Sequence, residues 1–135
     1  MQRPAYVDPT TGRVFDTSNP NLCGWLTKQS SWLKDWRRRY FILKGSKLFF
    51  AKGEFTAPHG MIDLSTCMTV KSAELKVGKK NAIEISTKES TFYLYADTDK
   101  EKDEWIGAVG RSIVQSSSTF TKEDNASDDG SESDN

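Results

Sequence analysis

Residues 23–52 have the sequence CGWLTKQSSWLKDWRRRYFILKGSKLFFAK, and the first three strands can be predicted from them. This stretch contains three runs rich in aromatic and β-branched residues, at 23–29, 36–44 and 47–52. Short polar segments separate the runs, and Gly45 and Ser46 form the second of these segments. Runs of this kind, close together along the chain, predict strands that pair with their neighbours as antiparallel hairpins.

The rest of the chain continues this pattern and then changes its period. Four further short runs follow, at 60–64, 68–71, 82–86 and 91–96. Seven short strands at regular spacing are typical of a small antiparallel barrel or sandwich, so the fold class is mainly β.

A helix is predicted after the last strand. Trp105, Val109 and Ile113 recur every four residues, and Thr98 and Glu101 have the spacing of a helix-capping box. This pattern predicts one amphipathic helix over residues 99–115, which would cap an open end of the sheet.

The two ends of the chain differ from the middle in composition. Residues 1–21 hold three of the four prolines and predict an extended or flexible arm. Residues 116–135 are polar and acidic, which predicts a disordered tail. We therefore expect one domain at 22–115, and we leave open whether the acidic tail competes with ligands for basic residues.

The chain shows no sign of export or of a membrane span. No apolar run approaches the roughly 18 residues that a spanning helix needs, and no hydrophobic block follows a basic start. Cys23 and Cys67 lack the spacing of a metal or redox motif, so we expect two reduced thiols and a cytoplasmic protein.

Positive charge is concentrated in one part of this formally neutral chain. Residues 23–115 hold 16 basic and 11 acidic residues, whereas 116–135 hold one basic and six acidic residues. Residues 23–52 alone hold eight basic residues and one acidic residue. A local cluster of this kind predicts an anionic partner.

Strand geometry predicts where part of this charge lies. Side chains alternate between the two faces of a strand, so Arg37 and Arg39 share a face with Phe41. If strand 23–29 pairs antiparallel with strand 36–44, Lys28 lies close to both arginines. Three cations then meet at one rim of the sheet, on its inner face, where mutual repulsion is costly unless an anion binds. The alternative is a solvated basic edge that discourages aggregation.

The loop between these strands, SSWLKD at 30–35, adds an apolar tip. Trp32 and Leu33 suit a membrane interface, where indole rings favour the headgroup level. Lys34 beside them is a further candidate for contact with phosphate. The alternative is that Trp32 folds back onto the sheet.

Estimates of the binding free energy favour a specific phosphate group over a diffuse charged surface as the ligand. Attraction to an anionic leaflet is worth about 1 kcal/mol per Lys or Arg. Five or six such groups give an affinity of only about 0.1 mM. Guanidinium groups add forked hydrogen bonds to a phosphate monoester, so we expect a phosphorylated headgroup as the ligand.

The sequence resembles the pleckstrin homology (PH) domain family over residues 22–115. The resemblance is carried by GWLTKQ, DWRRRYFILK, LFF, PHG followed by MIDL, and DEWIGAVGRSI, and it is greatest to short plant-type proteins with a single PH domain. It implies a seven-stranded antiparallel barrel or sandwich capped by one C-terminal helix. It also implies the basic signature of the phosphoinositide-binding members, which Lys28, Arg37 and Arg39 match, and hence recruitment to a membrane in signalling or trafficking.

At two positions the sequence differs from the members of that family that bind phosphoinositides strongly. Phe50 stands where they often have Tyr, and His59 follows Pro58 where they often have Arg. The resemblance then implies a mono- or bisphosphorylated inositol lipid such as phosphatidylinositol 3-phosphate, on endosomal or plasma membrane. We expect His59 to join the phosphate site when it is charged, and the alternative is an exposed loop residue.

Other functions remain to be weighed against lipid binding. A protein-interaction module with the same fold, binding anionic lipid only weakly, is the main alternative. Nucleic-acid binding is disfavoured because the basic cluster is compact and the tail is acidic. With one histidine and no clustered carboxylates we expect neither an enzyme nor a cofactor or metal.

Overall fold

The fold consists of nine strands and two α-helices in the computed structural model, which describes residues 3–127, except for the side chains of Met68 and of 117–127. The strands are β1 (Tyr6–Val7), β2 (Val14–Phe15), β3 (Leu22–Gln29), β4 (Trp36–Lys44), β5 (Lys47–Ala51), β6 (Gly60–Asp63), β7 (Cys67–Ser72), β8 (Ala82–Thr87) and β9 (Thr91–Tyr95). The α-helices are α1 (Glu74–Val77) and α2 (Asp99–Ser127), and a short 3-10 helix at Leu64–Thr66 joins β6 to β7.

Seven of the strands form one antiparallel sheet in the order β6-β5-β4-β3-β9-β8-β7. The mainly β class and the seven predicted strands are confirmed. The sheet is not closed into a barrel, because its two edge strands, β6 and β7, do not pair with each other. Leu26 and Leu48 from one half and Ile83 and Leu94 from the other share one core. The sheet is therefore folded over on itself as a sandwich.

Side-chain alternation along β4 builds two separate cores. Phe41 and Leu43 are fully buried in the main core between the two halves of the sheet. Tyr40 and Ile42 point to the other face and belong to a second, smaller cluster. The predicted alternation of side chains along β4 is thus correct. Both faces of the strand are covered near residues 40–43.

The helix α2 covers the gap between the two edge strands. Trp105 and Val109 are buried in the main core, and the Trp105 ring lies 6.4 Å from that of Phe41. The predicted cap is present, since the Glu101 backbone N–H donates to Thr98 Oγ1 at 3.1 Å. The predicted capping helix is confirmed.

Its C-terminal end differs from the expectation. The helix runs to Ser127, so it extends into the segment 116–135 that was predicted to be disordered. Adding a residue to an existing helix costs far less than starting one, which favours this continuation. Residues 128–135 lie outside the described residues.

The N-terminal arm, 1–21, contains a hairpin that packs on the outer face of the sheet. β1 pairs antiparallel with β2, with Tyr6 opposite Phe15. Tyr6 is only 6% exposed, and its ring lies 5.4 Å from that of Phe49 in β5. The arm therefore covers the second apolar cluster and is attached to the domain.

Within residues 3–127, no helix combines the length and the apolar character needed to cross a bilayer. Cys23 and Cys67 are both half-buried and carry free thiols.

Candidate functional site

Three loops lie at the same end of the sandwich. The strand register places them there, because Lys28 of β3 pairs with Arg37 of β4, and Tyr40 of β4 pairs with Ala51 of β5. In the other half, β9 runs antiparallel to β3 with Leu94 opposite Lys28, so the start of β9 at Thr91, which pairs with Ser86 of β8, lies toward the end of β3. Loops 30–35 and 52–59 and the turn 88–90 therefore form one end of the molecule, which we call the loop end.

A small basic pocket lies between the first two of these loops. It has a volume of about 90 Å³ and is lined by Lys28, Ser30, Arg37, Arg39, Phe50 and His59. The three cations predicted to converge at one rim do so, and His59 joins them. Lys34, which was also predicted to contact phosphate, does not line the pocket.

Lys28 is the most constrained of the pocket cations. It is half-buried, and its Nζ lies 5.1 Å from the centroid of the Phe50 ring and 5.5 Å from that of Phe92. Its one hydrogen bond is long, 3.4 Å from Nζ to the carbonyl of Gln29. Burial lowers the pKa of Lys28, and repulsion from Arg39 and Arg37 lowers it further. No carboxylate in the described part of the chain forms an ion pair with this ammonium.

Arg37 has a partner that the sequence analysis missed. Its Nε and Nη2 donate to Asp35 Oδ2 at 3.3 and 3.1 Å. Ser30 Oγ donates to the other carboxylate oxygen of Asp35 at 2.6 Å, and this bond, ahead of Arg37, lowers the pKa of Asp35. Asp35 thus holds the guanidinium in place and leaves Nη1 and one Nη2 hydrogen free to donate elsewhere.

The three consecutive arginines divide between the two faces of β4. Arg39 lines the pocket, and its Nη1 donates to the carbonyl of Arg38 at 2.8 Å. Arg38 points to the opposite face, where it pairs with Asp97 at 3.0 Å and lies 5.1 Å from the Trp25 ring. Among the described residues, Arg39 has no carboxylate partner, so its charge and that of Lys28 are not neutralised.

His59 is held at the rim of the pocket. Its backbone N–H donates to the carbonyl of Phe50 at 3.0 Å, and its ring stands edge-on to that of Phe50 at 5.2 Å. Although the residue is exposed overall, partial loss of water lowers the pKa of His59, and Arg39, Lys52 and Lys28 lower it further. Its imidazole is therefore mainly neutral near pH 7.

Gly60 makes room for the aromatic wall of the pocket, which the sequence analysis also missed. Gly60 pairs with Phe50 across β5 and β6, and a Cβ at this position would lie 2.2 Å from Phe50 Cζ. The Phe50 ring thus occupies the space of a side chain at residue 60. A glycine opposite an aromatic residue is the only sequence signal for this contact.

The tip of loop 30–35 projects into solvent. Trp32 is 88% exposed and Leu33 is 62% exposed, so Trp32 does not fold back onto the sheet. Ser30 closes the turn, because its N–H donates to the Asp35 carbonyl at 2.8 Å and its carbonyl accepts from the N–H of Lys34 at 3.1 Å. An apolar tip is held beside a basic pocket.

Similar proteins share both the sequence and the fold. The family model described as PH domain matches residues 20–114. Pleckstrin homology domain-containing protein 1 of Arabidopsis thaliana is 47% identical over 110 residues, which are 77% of this chain and 76% of that protein. A RAC family serine/threonine-protein kinase homolog of Dictyostelium discoideum is 38% identical over 85 residues, which are 62% of this chain but only 19% of that protein.

Solved structures agree with this assignment. The C-terminal PH domain of pleckstrin, crystallised with D-myo-Ins(1,2,3,4,5)P5, is 33% identical, with a TM-score of 0.60 over 69% of this chain and 97% of that one. The PH domain of human pleckstrin homology domain-containing protein family A member 5 is 26% identical, with a TM-score of 0.64 over 79% of this chain and 88% of that one. On the strength of its matched residues and its fold, this chain belongs to the PH domain family.

Proposed function

We propose that this chain is a binding module, not an enzyme. It associates with membranes by binding a phosphoinositide headgroup through Lys28, Arg37 and Arg39. The observation that carries the proposal is the basic pocket, in which Lys28 and Arg39 lack any neutralising carboxylate among the described residues. Like charges held together in a half-buried site are unfavourable until an anion enters. The pleckstrin PH domain, crystallised with an inositol pentakisphosphate, supports an inositol phosphate as the ligand.

The proposed ligand is a mono- or bisphosphorylated inositol lipid, with phosphatidylinositol 3-phosphate as the first choice. A pocket of about 90 Å³ has room for one phosphate group more readily than for several. Phe50 offers no hydroxyl, and His59, whose pKa is lowered, offers no charge near pH 7. A pocket with fewer hydrogen-bond donors favours a headgroup with fewer phosphate groups.

The apolar tip beside the pocket supports a membrane location for this headgroup. Trp32 and Leu33 would enter the interface while Lys34, exposed next to them, meets anionic lipid. The corresponding location is the cytoplasmic face of endosomal or plasma membrane, as a peripheral protein.

The test is vesicle co-sedimentation across the singly, doubly and triply phosphorylated inositol lipids, with phosphatidylserine vesicles as the reference. The variant carrying both Arg37→Ala and Arg39→Ala is expected to lose binding by a hundredfold or more, at roughly 1.5–3 kcal/mol per charged contact. Arg38→Ala is the control, because it removes one charge from the opposite face of the same strand. A loss in binding free energy in Arg38→Ala that is half of the loss in the double variant would leave only diffuse attraction, and weak vesicle binding that does not depend on the phosphorylated headgroup would favour a protein-interaction module.

A further inference from the structure

The N-terminal arm contacts the loop that borders the basic pocket. Its Arg3 lies at the outer face of the sheet, where Nη2 donates to the hydroxyl of Tyr40 at 3.2 Å. The same nitrogen lies 3.6 Å from Glu54 Oε2, and the guanidinium carbon lies 5.9 Å from the centroid of the Phe55 ring. One side chain of the arm therefore contacts both the sheet and loop 52–59.

The Arg3 side chain is fixed on the side of the sheet. It is only 18% exposed, and its guanidinium carbon lies 5.5 Å from the centroid of the Tyr40 ring. Tyr40 is buried and pairs with Ala51, the residue directly before loop 52–59. Arg3 is thus anchored on the sheet itself, beside the point where the loop begins.

The middle of loop 52–59 has few other contacts with the protein. Its residues 54–57 are all exposed, and its internal backbone bond joins the Thr56 N–H to the Gly53 carbonyl at 3.3 Å. In the part of the chain that the structure describes, the pair with Arg3 is the only ion pair that this loop forms. Arg3 is therefore the main polar contact that holds the loop from outside.

The loop leads directly into the basic pocket. His59, its last residue, lines the pocket, and the backbone of His59 is bonded to Phe50 in the pocket wall. A site that is correctly formed for only part of the time loses affinity in proportion to the competent fraction. A loop that is already held in place also has less conformational freedom to lose on binding. Order in loop 52–59 therefore favours binding of a headgroup.

We propose that Arg3 is a positioning residue for headgroup binding, which holds loop 52–59 at the rim of the pocket. The inference rests on the proposed function for the identity of the site. Arg3 lies outside residues 20–114, which match the family model. The unit that binds the headgroup then includes the N-terminal arm, and not the family-matched segment alone.

The experiment measures binding of soluble inositol 1,3-bisphosphate to the full chain by titration calorimetry. Arg3→Ala is expected to weaken binding roughly fivefold, the scale of a partly exposed ion pair together with a cation–ring contact. Arg13→Ala is the matched control, because it removes the same charge from the same arm, where the Arg13 guanidinium lies 4.8 Å from the Phe15 ring. The control is expected to change affinity by less than about twofold, since an exposed distant charge is screened by salt. Equal affinities of the two variants would overturn the inference.

A double-mutant cycle with Glu54→Gln shows whether Arg3 acts through the loop. Loss of the Glu54 charge strengthens the attraction for any anion, and it does so whether or not Arg3 is present. Glu54→Gln should therefore raise affinity in the Arg3→Ala background, and its effect in the wild type should be roughly threefold less favourable, because there it also breaks the ion pair. Equal effects of Glu54→Gln in the two backgrounds would show that Arg3 acts independently of the loop, against the inference.

Hydrogen exchange separates a positioning role from a general loss of stability. Amide exchange in residues 52–59 should be faster in Arg3→Ala, whereas exchange in β4 should keep the wild-type rate. Faster exchange throughout the sheet would mean that Arg3 only stabilises the fold. A wild type that binds neither the soluble headgroup nor vesicles containing phosphatidylinositol 3-phosphate would instead refute the proposed function. Binding by the wild type that is undiminished in Arg3→Ala would refute the role of Arg3 alone.

Discussion

Replacing Lys28 with methionine should make the free protein more stable while it weakens lipid binding. Lys28 is half-buried among Phe50 and Phe92, and its pKa is lowered by burial and by Arg39 and Arg37. Methionine is apolar, unbranched and of similar length, and its thioether makes favourable contacts with aromatic rings. The Lys28→Met variant therefore keeps the packing and removes the charge.

The expected gain in stability follows from the repulsion that is relieved. At an effective dielectric constant of about 20, a like charge about 8 Å away costs roughly 2 kcal/mol. Physiological salt, with a Debye length of about 8 Å, reduces that cost to roughly a third. Arg39, which no described carboxylate neutralises, then contributes roughly 0.7 kcal/mol, and Arg37 contributes less because it is paired with Asp35. Relief of the cost of burying the charge adds to this gain, and the lost contacts between the ammonium and the aromatic rings offset part of it. The net gain in the free energy of unfolding is about 0.5–1 kcal/mol.

The gain should depend on pH in a defined direction. Because the pKa of Lys28 is lower in the folded state than its ordinary value of 10.5, the folded state binds fewer protons than the unfolded state between these two values. The penalty is therefore present at pH 7 and disappears as the pH rises toward 10.5. The difference in stability between Lys28→Met and the wild type should shrink along the same course.

Urea unfolding and vesicle sedimentation on the same samples test both halves of this prediction. Binding should weaken by roughly tenfold to a hundredfold, the scale of one charged hydrogen bond to phosphate. Lys47→Met is the control, because Lys47 is paired with Asp63 at 2.9 Å and its loss should give no gain in stability. A Lys28→Met variant less stable than the wild type by 1 kcal/mol or more would show that the lysine is structural, and unchanged vesicle binding would remove it from the site.

Two further predictions concern His59 and the N-terminal hairpin. Protonation of His59 should add a cation to the pocket, so the ratio of vesicle affinities of the wild type and His59→Gln should rise roughly fivefold between pH 8 and pH 5.5. Because its pKa is lowered in the folded state, charging His59 also costs stability as the pH falls below 6.5, and a ratio that is flat with pH would exclude it from the site. Tyr6→Ala should lower the free energy of unfolding by about 3 kcal/mol, as for other large buried aromatic side chains, and leave vesicle affinity unchanged at temperatures where the variant is folded. Val7→Ala, at an exposed position in the same strand, is its control, and equal losses in the two variants would mean that the hairpin does not pack as described.

The pocket could be predicted from the sequence to the extent that local rules determine it. Alternation along β4 separates Arg37 and Arg39 from Arg38, and a six-residue connection brings Lys28 beside them. Both rules act over a few residues, so no tertiary information is needed. The helix was predicted for the same reason, from a four-residue apolar period.

The remaining features depend on contacts between distant parts of the chain. β1 and β2 have two residues each, too few to show the side-chain alternation of a strand. Their hairpin is stabilised by the packing of Tyr6 against Phe49 on the outer face of β5. The choice between a closed barrel and an open sandwich depends on whether β6 reaches β7, which no single segment encodes. The orientation of Arg37 depends on Asp35, whose carboxylate could equally have faced solvent.

The amino-acid order by itself determined which side chains share a face of each strand, because the period of a strand is a property of the backbone. It thereby placed three cations on the inner side of one hairpin. Only the folded sheet decided that loops 30–35 and 52–59 and the turn 88–90 come together at one end, and that Trp32 projects from it, 88% exposed. The solvent exposure of a side chain depends on which surfaces the rest of the chain covers. Those surfaces are known only when every strand is paired.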